Sequence, residues 1–127
     1  MIIGQTVFTG STGSAENFYT PWVATGGNYA AFTLEILNLT SGVSITVETQ
    51  TKNSEQDDKE GATADQSWTS SAFTTADLHT FEAGKTMSAE GSTDHGLLEL
   101  VRFKIEVSAN EQGLANIRML APSYQTN

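Results

Sequence analysis

The stretch Val43-Ser44-Ile45-Thr46-Val47-Glu48-Thr49 decides the class of fold. Apolar Val43, Ile45 and Val47 alternate with polar Ser44, Thr46 and Glu48, and β-branched residues dominate. Side chains that alternate with period two belong to a pleated strand with one buried and one wet face. Immediately upstream, Phe32, Leu34 and Ile36 alternate with Thr33 and Glu35, and Ser41-Gly42 separates the two runs as a turn signal. Residues 29–40 and 43–52 are therefore expected to form an antiparallel pair. A third run, Leu97 to Val107, points Val101, Phe103, Ile105 and Val107 one way and Arg102, Lys104 and Glu106 the other. At its start, Leu98 and Leu100 make the second face apolar as well. This predicts cover from a loop, a neighbouring strand or another subunit, and marks Leu98 and Leu100 as candidate interface residues.

Further from these runs the signals weaken but keep the same character. A final strand is expected from Leu114 to Ala121, stopped by Pro122. Shorter candidates are Gln5–Phe8, Phe18–Ala24, Ser67–Phe73, Thr80–Ala83 and Thr86–Ala89. No segment carries helical periodicity, although Thr75-Ala76-Asp77-Leu78-His79 can form one turn capped by Thr75. Eight or nine short strands joined by Gly, Ser, Thr and Asn connections predict an all-β, antiparallel two-sheet sandwich of jelly-roll type. Residues 1–127 are read as a single domain, with residues 1–28 an N-terminal strand and loop region and 52–66 a long acidic loop.

Composition narrows the functions. The 127 residues carry 15 Asp and Glu against 6 Lys and Arg, a formal charge of −9. So few basic residues argue against nucleic acid and against anionic membranes, both of which need clustered Lys and Arg. Without cysteine there are no disulfides, thiol nucleophiles or thiolate metal ligands. No run approaches the roughly 18 apolar residues of a membrane helix. Met1-Ile2-Ile3-Gly4-Gln5 lacks the basic and apolar regions of a secretory signal, which predicts cytoplasmic synthesis. Asn38-Leu39-Thr40 fits a glycosylation triplet but lies within a predicted strand and is read as a chance match.

Each candidate for chemistry competes with a structural reading. Asp57, Asp58, Glu60 and Asp65 crowd the loop and are the candidate cation ligands, yet their spacing is not that of an EF-hand. They are expected to form a solvated loop that blunts a sheet edge. His79 and His95, with Asp77 or Asp94, lack the short spacing of a paired metal site. Ser92-Thr93-Asp94-His95 holds the residue types of a hydrolase triad, but neighbours on one turn do not reach triad geometry. Glu35, Glu48 and Glu106 are expected on one sheet face with Arg102 and Lys104, where cross-strand ion pairs account for them. No catalytic residue and no cofactor is assigned. The aromatic group Phe18, Tyr19, Trp22 and Tyr29 is the candidate ligand-binding site, since Trp and Tyr stack on sugar rings; the competing reading places these rings in the core. Trp68 is expected to begin a returning strand and pack over the end of the hairpin.

A strand ending in Ser41-Gly42, then Ile45-Thr46-Val47-Glu48-Thr49-Gln50-Thr51-Lys52-Asn53-Ser54, an acidic stretch, Trp68-Thr69, Phe73-Thr74 and Leu100-Val101-Arg102-Phe103-Lys104-Ile105 make one pattern. It resembles small β-sandwich domains of virion structural proteins of tailed phages and of related bacterial proteins, over residues 29–121. The resemblance implies a non-enzymatic structural, decoration or binding role within a larger assembly. It implies no catalytic residues, and gives Arg102 a structural role through a carboxylate on a neighbouring strand. The expected partners are protein subunits, as a homo-oligomer or a larger particle. A carbohydrate- or ligand-binding module is the alternative.

Overall fold

A computed structural model describes residues 4–9, 16–53, 67–84, 96–108 and 114–126. Ten strands are found among them: β1 (Gly4–Thr9), β2 (Glu16–Tyr19), β3 (Val23–Ala24), β4 (Tyr29–Leu39), β5 (Ile45–Lys52), β6 (Ser67–Thr69), β7 (Leu78–Gly84), β8 (Leu100–Val107), β9 (Leu114–Met119) and β10 (Ser123–Gln125). In the first sheet β4 lies between β7 on one side and β9 with β10 on the other, and β1 flanks β9. In the second, β8 lies between β5 and the interrupted line β2–β3, and β6 flanks β5. Every pairing is antiparallel.

Four of these strands are halves of two lines. Pro122 separates β9 from β10, and Pro21 separates β2 from β3, because proline has no N–H for a ladder. Counted as lines in chain order, the first sheet runs 1-8-3-6 and the second 2-7-4-5. The chain is thus one long antiparallel ribbon, 1 on 8, 2 on 7, 3 on 6 and 4 on 5, rolled so that successive pairs fall in alternate sheets. That is a jelly roll, the expected architecture.

One expected pairing is corrected. Residues 29–40 and 43–52 are both strands, but β4 and β5 belong to different sheets. The turn between them exists: Val43 N–H donates to Thr40 O at 3.0 Å and Gly42 takes a φ of 89°. It works as a corner between the layers and not as a hairpin. Each strand has only one apolar side, and stacking those two sides face to face buries both. The expected helical turn at 75–79 is also absent; those residues bend and then extend into β7. β10 goes beyond the expected strands, and Thr86–Ala89 lies outside the described residues.

The interior follows the alternation. Ala30, Phe32, Leu34 and Ile36 of β4, Ile45 and Val47 of β5, Val101, Phe103, Ile105 and Val107 of β8, and Ala115, Ile117 and Met119 of β9 are all buried. Phe32 sits at the centre. Its ring meets Phe103 edge-on at 4.8 Å between centroids, and Phe81 and Tyr124 lie at 5.6 and 6.1 Å. Tilted and edge-on contacts suit the ring quadrupoles and lock the layers in register. Trp68 lies in the returning strand β6, as expected, opposite Thr49, and packs against this core.

Candidate functional site

The outer face of the second sheet carries the most unusual environment. Gln50 of β5 stands opposite Arg102 of β8, Glu48 opposite Lys104, and Thr46 opposite Glu106. These polar residues are on the side that the alternation assigns to water. Yet Gln50, Lys52 and Arg102 are only 4%, 3% and 6% exposed. Their cover comes from the segment that interrupts β2 and β3.

Thr20 and Pro21 set the geometry of that cover. Thr20 N–H donates to Phe103 O at 3.0 Å, as a strand residue would. In return, Phe103 N–H donates at 2.9 Å to the Thr20 hydroxyl. A side chain has taken the place of a ladder carbonyl, so the backbone is free to turn at Pro21. Tyr19 and Trp22, three residues apart, consequently reach the same guanidinium. Arg102 Cζ lies 4.7 Å from the Tyr19 ring centroid and 4.6 Å from that of Trp22, and Lys52 Nζ lies 4.8 Å from the Trp22 centroid. Such contacts are worth about 0.5–2 kcal/mol each, more as water is excluded. Arg102 Nε donates at 2.7 Å to Gln50 Oε1, and Gln50 Nε2 donates at 3.1 Å to Glu48 Oε2. Gln50 thus links the Arg102 guanidinium to the Glu48 carboxylate on the neighbouring strand.

Beside this stack runs a shallow polar groove of about 220 Å³, lined by Thr46, Glu48, Thr69, Lys104 and Glu106. It is smaller than the roughly 300–1,000 Å³ of small-molecule pockets. Leu100, opposite Lys52, extends the same face. Thr51 staples its edge: the hydroxyl donates to Leu100 O and accepts from Leu98 N–H, both at 2.7 Å.

The four aromatic candidates divide. Tyr19 and Trp22 meet on this face. Phe18 packs against the core. Tyr29 stands on the first sheet, opposite Gly84, where a hydrogen bond to Glu82 raises its phenol above the ordinary pKa of 10.0. Tyr124 is also raised, by burial. Leu98 and Leu100 are half-buried within the single chain. The one exposed large apolar side chain among the described residues is Leu78, at 63%.

The three glutamates do not share a face. Glu48 and Glu106 lie on the second sheet with Arg102 and Lys104, as expected. Glu35 lies on the outside of the first sheet, where Arg118 Nε donates to Glu35 Oε2 at 2.7 Å. The two sheets show opposite faces to solvent, which separates these carboxylates by the thickness of the sandwich. His79 stacks on Phe73 at 4.5 Å between centroids, with Nε2 2.8 Å from Thr75 O. Among the described residues no cluster of His, Asp and Glu is placed to hold a metal ion. Asp57, Asp58, Glu60, Asp65, Ser92, Asp94 and His95 lie outside the described residues. Comparison with family models, curated proteins and solved structures gives no match for this chain.

The buried end of this face was missed in the sequence because its cover is not local. Gln50 and Lys52 sit at polar positions of a regular alternation, and nothing near them announces a lid. The available signal was Tyr19-Thr20-Pro21-Trp22: a proline that breaks a strand between two large aromatics aims both at one neighbour.

Proposed function

We propose that this chain is a non-enzymatic structural or assembly domain, a component of a larger particle such as a virion, that contacts its protein partner through the outer face of the second sheet. The supporting observation is the Tyr19–Arg102–Trp22 stack. Tyr, Trp and Arg are the residue types that dominate the energetics of protein interfaces, held at the centre of a patch with a polar rim. Here the stack is pre-organised by Gln50 and Thr20, so little side-chain entropy remains to be lost on binding. Glu48, Lys104, Glu106 and Thr69 supply the rim. The jelly-roll order adds a fold-level analogy, since capsid domains use it, and such analogies do not fix function.

Density-gradient sedimentation of the protein from its natural source tests the reading. Co-migration with large particles is expected, and Tyr19→Ser is expected to lose it while still folding, with an unfolding midpoint lower by several degrees. Recovery of the native protein only as a free species, unattached to any particle, contradicts it.

A second reading, carbohydrate binding, is favoured by the groove, whose hydroxyl, carboxylate and ammonium groups suit a polyhydroxyl ligand. Against it, the Trp22 ring on which a sugar would stack already carries two cations. Quenching of tryptophan fluorescence by oligosaccharides, lost in Tyr19→Ser, is the outcome that favours this reading.

A further inference from the structure

Edge strands are normally protected by shortness, lysine, proline or a bulge. In the second sheet, β6 has three residues and the line β2–β3 is broken by Pro21. β7 has neither protection. It runs for seven residues, Leu-His-Thr-Phe-Glu-Ala-Gly, in unbroken register with β4, and has no lysine or proline. Among the described residues no strand pairs with its outer edge. It also begins at Leu78, the exposed apolar residue.

The direction of its free peptide groups follows from the ladder. Ile36 N–H donates to Asp77 O at 2.9 Å, so this pair is of the hydrogen-bonded kind. On the other side of β4, Leu120 N–H donates to Thr33 O, which fits the same alternation. Hydrogen-bonded pairs recur every second residue, so His79, Phe81 and Ala83 turn their peptides toward β4. Leu78, Thr80, Glu82 and Gly84 turn theirs outward.

We propose that β7 pairs antiparallel with β7 of a second copy, about a two-fold axis at Phe81, joining the first sheets of two sandwiches into one. This register matches every outward peptide group with another. Thr80 stands opposite the second copy's Glu82, and the reverse, and these two pairs supply about four hydrogen bonds. Leu78 falls opposite the second copy's Gly84, which has no side chain to obstruct it. Phe81 meets its own equivalent across the axis on the buried side, so the two aromatic cores adjoin. No glutamate stands directly opposite another. The edge is therefore self-complementary, as a two-fold interface must be. The pairing does not rest on the role proposed for the second sheet, whose outer face lies on the opposite side of the sandwich.

Sedimentation equilibrium of the full chain, with two variants at Thr80, tests this. The side chain of Thr80 is exposed, and both variants equally lose its 3.3 Å contact with the Thr33 hydroxyl. Thr80→Glu places like charges opposite each other twice and is expected to weaken dimerisation roughly tenfold; Thr80→Lys places opposite charges there and is expected to strengthen it by a similar factor. The wild-type dimer, weak as edge contacts are, is expected below about 1 mM and is favoured by salt because each copy carries a charge of −9. A native chain that stays monomeric throughout, one that polymerises without closing at two, or the same response from both variants overturns the proposal. A dimer that persists in Tyr19→Ser while particle association is lost separates this surface from the other.

Discussion

The two outer faces of the sandwich are built from the same alternating pattern and have opposite characters. On the first sheet, Glu35 pairs with Arg118, and Thr33 touches Thr80, all beside open solvent. On the second, Arg102 and Lys52 occupy equivalent outward positions but are buried under Tyr19 and Trp22. An ion pair of the first kind is worth about 0–1 kcal/mol, because water and salt compete with it. A guanidinium of the second kind is committed: losing it takes a hydrogen bond from the buried Gln50 amide oxygen and a cation from each of the Tyr19 and Trp22 rings. Period two tells which side of a strand is apolar. It does not tell whether the polar side is wet.

Variants that grade the two faces test this difference. The scale is set by the interior they share. Phe103→Ala removes a fully buried ring that contacts Phe32 and Phe81, and is expected to cost about 3–5 kcal/mol by urea denaturation. Next comes Arg102→Ala, expected to cost about 2–3 kcal/mol through the lost charge-assisted hydrogen bond and ring contacts. Arg118→Ala, with the same chemistry removed from the first face, is expected to cost less than about 1 kcal/mol, and that cost should shrink in high salt. Equal costs for the two arginines would erase the distinction.

A smaller effect concerns Tyr124, whose hydroxyl is enclosed without a hydrogen-bond partner among the described residues. Tyr124→Phe is expected to change stability at pH 7 by less than about 1 kcal/mol, with a gain more natural than a loss. The folded chain holds the protons of Tyr29 and Tyr124 more tightly than the unfolded chain does. Their contribution is therefore complete below pH 10 and is lost as the pH rises through their folded values. Unfolding midpoints measured from pH 8 to 11.5 should fall above pH 10, and fall less steeply in Tyr124→Phe.

The parts of the fold that were legible were those in which a residue's neighbours in the chain carry the information. Val43, Ile45 and Val47, and Val101, Phe103 and Ile105, declare a buried side by themselves, and every one of them is buried. Pro122 declares an interruption. The partner of a strand is another matter. The turn at Ser41-Gly42 fits a hairpin or a corner equally well, and the choice depends on whether two apolar sides lie next to each other or face each other. The candidate site was half legible for the same reason. Tyr19 and Trp22 were visible as aromatics, but their common target is Arg102, about eighty residues away, and is brought beneath them only by the pairing of β8 with the line β2–β3. Glu35 and Glu48 both occupy outward positions on their strands; which sheet each belongs to is a property of the whole ribbon.

The central claim is that aromatic cover converts the Gln50, Lys52 and Arg102 end of the outer face of the second sheet from wet to buried. A double-mutant cycle between Arg102 and Trp22, using Arg102→Met and Trp22→Leu, measures it directly, with Glu35 and Arg118 as the reference pair. The account predicts a coupling of about 1–2 kcal/mol for the first pair and below about 0.5 kcal/mol for the second. Coupling between Arg102 and Trp22 no larger than that of the reference pair would contradict it.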